Sequence, residues 1–143
     1  MQNLLNGNYF DKLLNGLHRE LYDEYEIEKI DIKVIRNVRK GLNNNLLQDL
    51  IDLGVYDERE LADSIIRLHK HGIIEMIRTK DVHDVAYKLT RRGNELWERV
   101  KKEYDYINEV LFRGMTEEQV ETYKRLSQMI IDNINKEANK GVK

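Results

Sequence analysis

Between Asp57 and Gly93 the hydrophobic positions change period, and the change marks the centre of the chain. Leu61, Ile65 and Leu68 recur at intervals of four and three residues, which sets them on one face of a helix. Asp57, with Glu60 three positions on, makes a capping pattern at its start, and Gly72 stops it, so a helix is predicted over Asp57 to His71. Ile73 to Thr79 is then dense in β-branched and apolar residues. Val85, Tyr87 and Leu89 alternate with Ala86, Lys88 and Thr90, as a half-buried strand should, and Lys80 to Asp84 is the expected turn between the two strands. A helix followed at once by a β-hairpin is the core of a winged helix, in which the helix can enter a DNA groove and the hairpin can flank it.

Upstream, Asp31 is placed to cap a helix bearing Ile32, Ile35 and Val38 and ended by Gly41. Asn44 or Asn45 opens another, with Leu46, Leu47, Leu50 and Ile51, ended by Gly54. With Asp57 to His71 this completes a helix-turn-helix whose second member is the recognition helix. The first 25 residues carry Phe10, Leu13, Leu14, Leu17 and Leu21, an apolar stripe too narrow to bury itself and therefore in need of a partner. Downstream, Leu96, Val100, Ile107 and Leu111 line a helix beginning near Thr90, and Gly114 marks a break. Thr116 with Gln119 then forms a capping-box pattern before a last helix with Val120, Tyr123, Ile130 and Ile134.

Composition agrees with a folded, helix-rich chain. Of 143 residues, 41% are hydrophobic and 35% charged, and with no proline long helices are unobstructed. The absence of cysteine excludes disulfides, thiolate nucleophiles and a cysteine redox switch. With neither a signal-like segment nor a membrane-length apolar run, the expected compartment is the cytoplasm. The net charge of −2 argues against nucleic acid, but its distribution softens the objection: residues 31–93 carry a net of +2 and the remainder −4.

Three pieces, LHKHGIIEMIR, YKLTRRGNELWERV and LFRGMTEEQVETYKRLSQMI, taken in that order, resemble the MarR family of bacterial transcription regulators. Members commonly show a helix ending in Gly, a wing, a Leu-Thr-x-x-Gly turn and a Met/Leu-Thr/Ser-Glu-Glu helix. The similarity runs from about Asp31 onward, and the order of the pieces carries it, because Leu-Thr-x-x-Gly also occurs in the PadR group. The resemblance implies a mainly α fold: a winged helix-turn-helix with a short β-hairpin wing, plus N- and C-terminal dimerisation helices. The corresponding division is residues 1–30, 31–93 and 94–143. It also implies a homodimer on a pseudo-palindromic operator, with Phe10, Leu13, Leu14, Leu17 and Leu21 of one chain against Val120, Tyr123, Ile130 and Ile134 of the other. A small-molecule effector is implied in the crevice between dimerisation helices and winged helix. His18, Tyr22, Tyr25, Trp97 and Tyr104 are available as its walls, but aromatics at helical spacing are more often core, so no ligand residue is assigned.

Once Leu61, Ile65 and Leu68 are buried, the recognition helix is left with Glu58, Arg59, Ala62, Asp63, Arg67 and Lys70 for DNA. Arg59 suits bidentate pairing with guanine, and Arg67 and Lys70 suit phosphates or base edges. In the family the wing usually carries Asp-x-x-Asp-x-Arg. Here Asp81 and Asp84 keep the acidic spacing but no Arg lies between Asp84 and Leu89, so the wing is shortened and Arg78, Lys80 and His83 are its cationic substitutes, suited to phosphate. Glu58, Glu60 and Asp63 would stand beside a polyanion, which motivates an alternative: a winged-helix dimer that docks a protein and has lost specific DNA binding. Enzymatic chemistry is not expected, since there is no Gly-rich phosphate loop, nucleophile elbow or HExxH. His69 and His71, two apart on a helix, point in different directions and cannot chelate one ion as an i, i+4 pair could; a metal site would need Glu or Asp from another segment, exposed helix-end histidines are the expected reading, and no metal or cofactor is assigned.

Overall fold

The computed structural model describes residues 7–78, 80 and 85–140. Their order is α1 (Gly7–Tyr25), α2 (Lys29–Arg39), α3 (Asn44–Asp52), α4 (Glu58–Lys70), β1 (Ile74–Arg78), β2 (Val85–Leu89), α5 (Arg91–Leu111) and α6 (Glu117–Lys140). The strands pair antiparallel, from Ile74 opposite Leu89 to Arg78 opposite Val85. Asn43 bridges to Ala86 and the Tyr87 N–H donates to the Leu42 carbonyl at 2.9 Å, so the α2–α3 connection runs along the free edge of β2. The chain divides into two compact units, Met1–Ile107 and Asn108–Lys143.

Most helix ends follow from local chemistry. The Asp57 carboxylate accepts from the Glu60 N–H at 3.2 Å and starts α4, and Gly72, at φ +70°, turns the chain out of it. Before α6, the Thr116 hydroxyl accepts from the Gln119 N–H at 3.1 Å while the Gln119 side chain accepts from the Thr116 N–H at 2.9 Å, the reciprocal box read from the sequence. Helix α3 is capped by Asn43, whose side chain accepts from the Leu46 N–H at 2.8 Å, rather than by Asn44 or Asn45.

Helix α2 departs further from expectation. Its N-cap is Glu28, and Asp31 lies inside the first turn, accepting from the Glu28 N–H at 2.7 Å. Asp31 is fully buried, so it is a member of the interior rather than an exposed cap.

The core belongs to the first unit. Leu21 from α1, Ile32, Val34, Ile35 and Val38 from α2, Leu61 and Leu68 from α4, Ile73 and Ile74 at the hairpin, and Leu96 and Val100 from α5 are all buried. Helix α1 is fastened to α5 by His18 with Glu103 and by Glu24 with Arg99. The unit therefore includes α1 and most of α5, which the sequence assigned to flanking dimerisation regions.

The Leu-Thr-x-x-Gly turn has a packing cause. Thr90 Oγ1 donates to the Gly72 carbonyl at 2.5 Å and accepts from the Gly93 N–H at 3.1 Å, capping α5. A Cβ on Gly93 would stand 2.1 Å from the Ile73 carbonyl oxygen, so this position admits no side chain.

In the second unit, α6 runs 24 residues and buries none of them. Leu126, Met129, Ile130, Ile131 and Ile134 are exposed, and Tyr123 meets Phe112 edge to face at 5.4 Å. Among the described residues no helix is long and apolar enough to cross a membrane.

Candidate nucleic-acid interface

At roughly 100° per residue, α4 sorts its side chains into two opposed faces. Leu61, Ser64 and Leu68 are buried and Ile65 half-buried on one. Directly opposite lie Arg59, Asp63, Ile66 and Lys70, all exposed, with Ala62 beside them. Arg59 stands in the first turn and Lys70 in the last, so the outward ridge carries a cation at either end. Arg78 on β1 and Lys80 just beyond it are also exposed. His83, with Asp81 and Asp84, lies outside the described residues. Ile66 was not among the positions the sequence offered to DNA; its angular position opposite the buried stripe was the available signal.

Arg67 is placed otherwise than expected. Its Nε donates to Asp31 Oδ2 and its Nη2 to Oδ1, both at 2.7 Å, and the Ser64 hydroxyl donates to the same Oδ1 at 2.6 Å. Glu28 approaches Nη2 at 3.4 Å. The hydrogen bonds donated to Asp31 hold the guanidinium pKa above its ordinary value, against a smaller opposing effect of burial, so the charge is permanent and locally neutralised. Arg67 sits on the flank of the helix, not on its outward ridge, where a buried carboxylate takes its fork. It thus ties α4 to α2. Nothing local announces this, because the two residues are 36 apart in sequence.

A second feature lies among α1, α2 and α5. A cavity of about 270 Å³ is lined by His18, Tyr22 and Tyr104, the cations Lys29, Lys33 and Arg36, the carboxylate of Asp11, and Leu14 and Ile32. The His18 ring stands edge-on to Tyr22 and Tyr104, at 5.9 and 5.7 Å, and its Nε2 is buried without a protein partner. The Arg36 guanidinium lies 5.0 Å over the Tyr104 ring. Burial, with smaller contributions from Tyr104, Glu103 and Asp11, raises the Tyr22 phenol above its ordinary value, so it stays a neutral hydroxyl at physiological pH. Of the five aromatics considered from sequence, Tyr25 and Trp97 are instead core residues.

Known proteins agree with this architecture. No protein-family model and no curated protein sequence matches the chain, so the comparison rests on shape. An uncharacterised SlyA-like transcription regulator from Listeria monocytogenes superposes with a TM-score of 0.76 over 96% of this chain and 92% of its own, at 18% identity. A putative MarR-family transcriptional regulator from Listeria monocytogenes, solved with a 26mer DNA, gives 0.74 over 96% and 93%, at 19% identity. NadR, solved with 4-hydroxyphenylacetate, gives 0.63 over 90% and 93%, at 21% identity. The fold is the MarR winged helix. These similar proteins are transcription regulators or regulator-like, and at such identities the likeness concerns the backbone path.

Within the MarR fold, the stripe residues expected at a dimer interface separate into two groups. Leu21 is wholly buried in the core of its own chain and is unavailable to a partner. Leu13, Leu14 and Leu17 are half-buried, and the side chain of Phe10 lies outside the described residues. Val120 is half-buried, while Tyr123, Ile130 and Ile134 are 39%, 49% and 61% exposed. Apolar depressions of about 390 Å³ on α1, at Tyr9, Leu13, Gly16 and Leu17, and about 490 Å³ at Met115, Thr122, Tyr123 and Leu126 remain open.

Proposed function

We propose that this chain is a DNA-binding transcription regulator of the MarR type, acting in the cytoplasm as a homodimer on a pseudo-palindromic operator. The observation that carries the reading is the outward ridge of α4, exposed and tipped at both ends by Arg59 and Lys70, in a fold shared with a protein solved on DNA. Arg59 is assigned to a guanine edge, Lys70 to phosphate or a base edge, and Arg78, Lys80 and His83 of the wing to phosphates. Residues 31–93 supply the DNA-binding part. The dimerisation parts come from the exposed stripe of α6 and from Leu13, Leu14 and Leu17 of α1, with open apolar depressions at Leu13 and Leu17 and at Tyr123 and Leu126.

The cavity among α1, α2 and α5 is assigned to a small aromatic anion that alters DNA affinity. Its aromatic walls, the cations Lys33 and Arg36 and the unpartnered His18 Nε2 match a ring with a carboxylate, while Lys29 is already paired with Asp11 of the same lining at 3.4 Å. Selection from a pool of random duplexes at low salt tests the central reading: a two-fold motif is expected, and no enrichment contradicts it. A second reading, docking of a protein partner in place of DNA, is favoured by one observation. Glu58, Glu60 and Asp63 are all exposed on α4 while Arg67 is neutralised by Asp31. A partner-docking chain would show no salt-dependent duplex binding at all.

A further inference from the structure

Ile66 stands on the outward ridge of α4 with 65% of its surface exposed. Ala62, one turn earlier, is exposed beside it. The core is closed on the opposite face by Leu61, Ser64 and Leu68, so Ile66 lies outside it. The apolar surface of this pair is one side chain and a methyl, far below the roughly 1,000 Å² that a stable protein partner requires. On the same ridge it is bounded by Arg59 and Lys70, which call for a polyanion, and by Asp63, an acceptor. One kind of surface presents a small apolar group among hydrogen-bonding edges and between rows of phosphates: the DNA major groove at the 5-methyl of thymine.

The geometry points to Ile66, with Ala62, as the residue that reads a thymine methyl in each half-site. This specificity-determining contact rests on the DNA-binding reading and adds to it a base preference that none of the charged residues supplies. Arg59 and Lys70 bring the ridge to the groove, and Ile66 gains only where a methyl meets it. Burying about one methyl-sized group corresponds to about a fourfold change in affinity per half-site.

The test uses the intact chain and the duplex enriched from random sequence. Each thymine is replaced in turn by deoxyuridine, which lacks only the methyl. The wild-type chain should lose about fourfold at one position in each half-site. Ile66→Ala should bind the parent duplex correspondingly more weakly and be indifferent to that same replacement. A scan in which no methyl matters, or in which the loss persists in Ile66→Ala, overturns the assignment while leaving DNA recognition standing. Failure to enrich any duplex overturns the DNA reading itself and the assignment with it. Ile66→Ala should melt at the parent temperature; a clear drop would show that Ile66 packs within the chain, and would also overturn the proposal.

Discussion

The winged-helix unit and α6 solve the same problem in opposite ways. In the first, an α4 of 13 residues buries Leu61, Ser64 and Leu68, and even its flanking Arg67 is taken up by a buried carboxylate. In the second, a helix of 24 residues buries nothing, although Leu126, Met129, Ile130 and Ile134 recur along it at helical spacing. The difference is one of closure: α4 buries its apolar stripe within its own unit, whereas α6 leaves its stripe exposed, the surface on which the proposed dimer rests.

The sharpest way to break this contrast is to charge the open stripe. Ile130→Glu combined with Ile134→Glu should abolish self-association, since an obligate interface of the order of 2,000 Å² does not tolerate unpaired carboxylates. Sedimentation should show loss of the dimer while urea unfolding still reports a cooperative winged-helix core. If mass is unchanged, α6 is not the interface.

Next in size is the clamp. Asp31→Ala leaves Arg67 and Ser64 without their acceptor and should cost about 3–5 kcal/mol in urea unfolding. A cost within half a kcal/mol would mean that α2 does not hold α4. Gly93→Ala drives a methyl into the Ile73 carbonyl, and about 1–3 kcal/mol of destabilisation is expected from the overpacking. The same denaturant titration measures it.

The smallest effect separates two arginines on one helix. Arg59→Ala should weaken binding to the enriched duplex by about 1–3 kcal/mol and leave stability nearly unchanged. Arg67→Ala should do the reverse first, lowering stability because a buried carboxylate loses its partner. Equal behaviour of the two variants would erase the distinction between ridge and flank.

Much of this was legible in the chain because it depends on neighbours in sequence. The bounds of α4 at Asp57 and Gly72, the Thr116–Gln119 box and the strand at Val85–Leu89 are each contained in a few residues, and the structure shows them, although along β2 only Lys88 is exposed and the expected alternation is not. The start of α2 was not, because an acid within an apolar run reads as a cap until Arg67 and Ser64 are seen to surround it. The same long-range pairing removed Arg67 from the outward set. Leu21 belongs with these, since its place in the core depends on α1 lying against α5 through His18 and Glu103. On the ridge, Arg59 and Lys70 were recognisable by charge, whereas Ile66 required the angular order of the whole helix.

The most direct measurement is the mass of the protein–DNA complex. With the enriched duplex at low salt, sedimentation should give one duplex plus two 17.1 kDa chains, and Arg59→Ala should reduce the fraction bound without changing that ratio. A complex containing a single chain, or a duplex that sediments as though alone, would contradict a two-fold regulator reading DNA through its paired recognition helices.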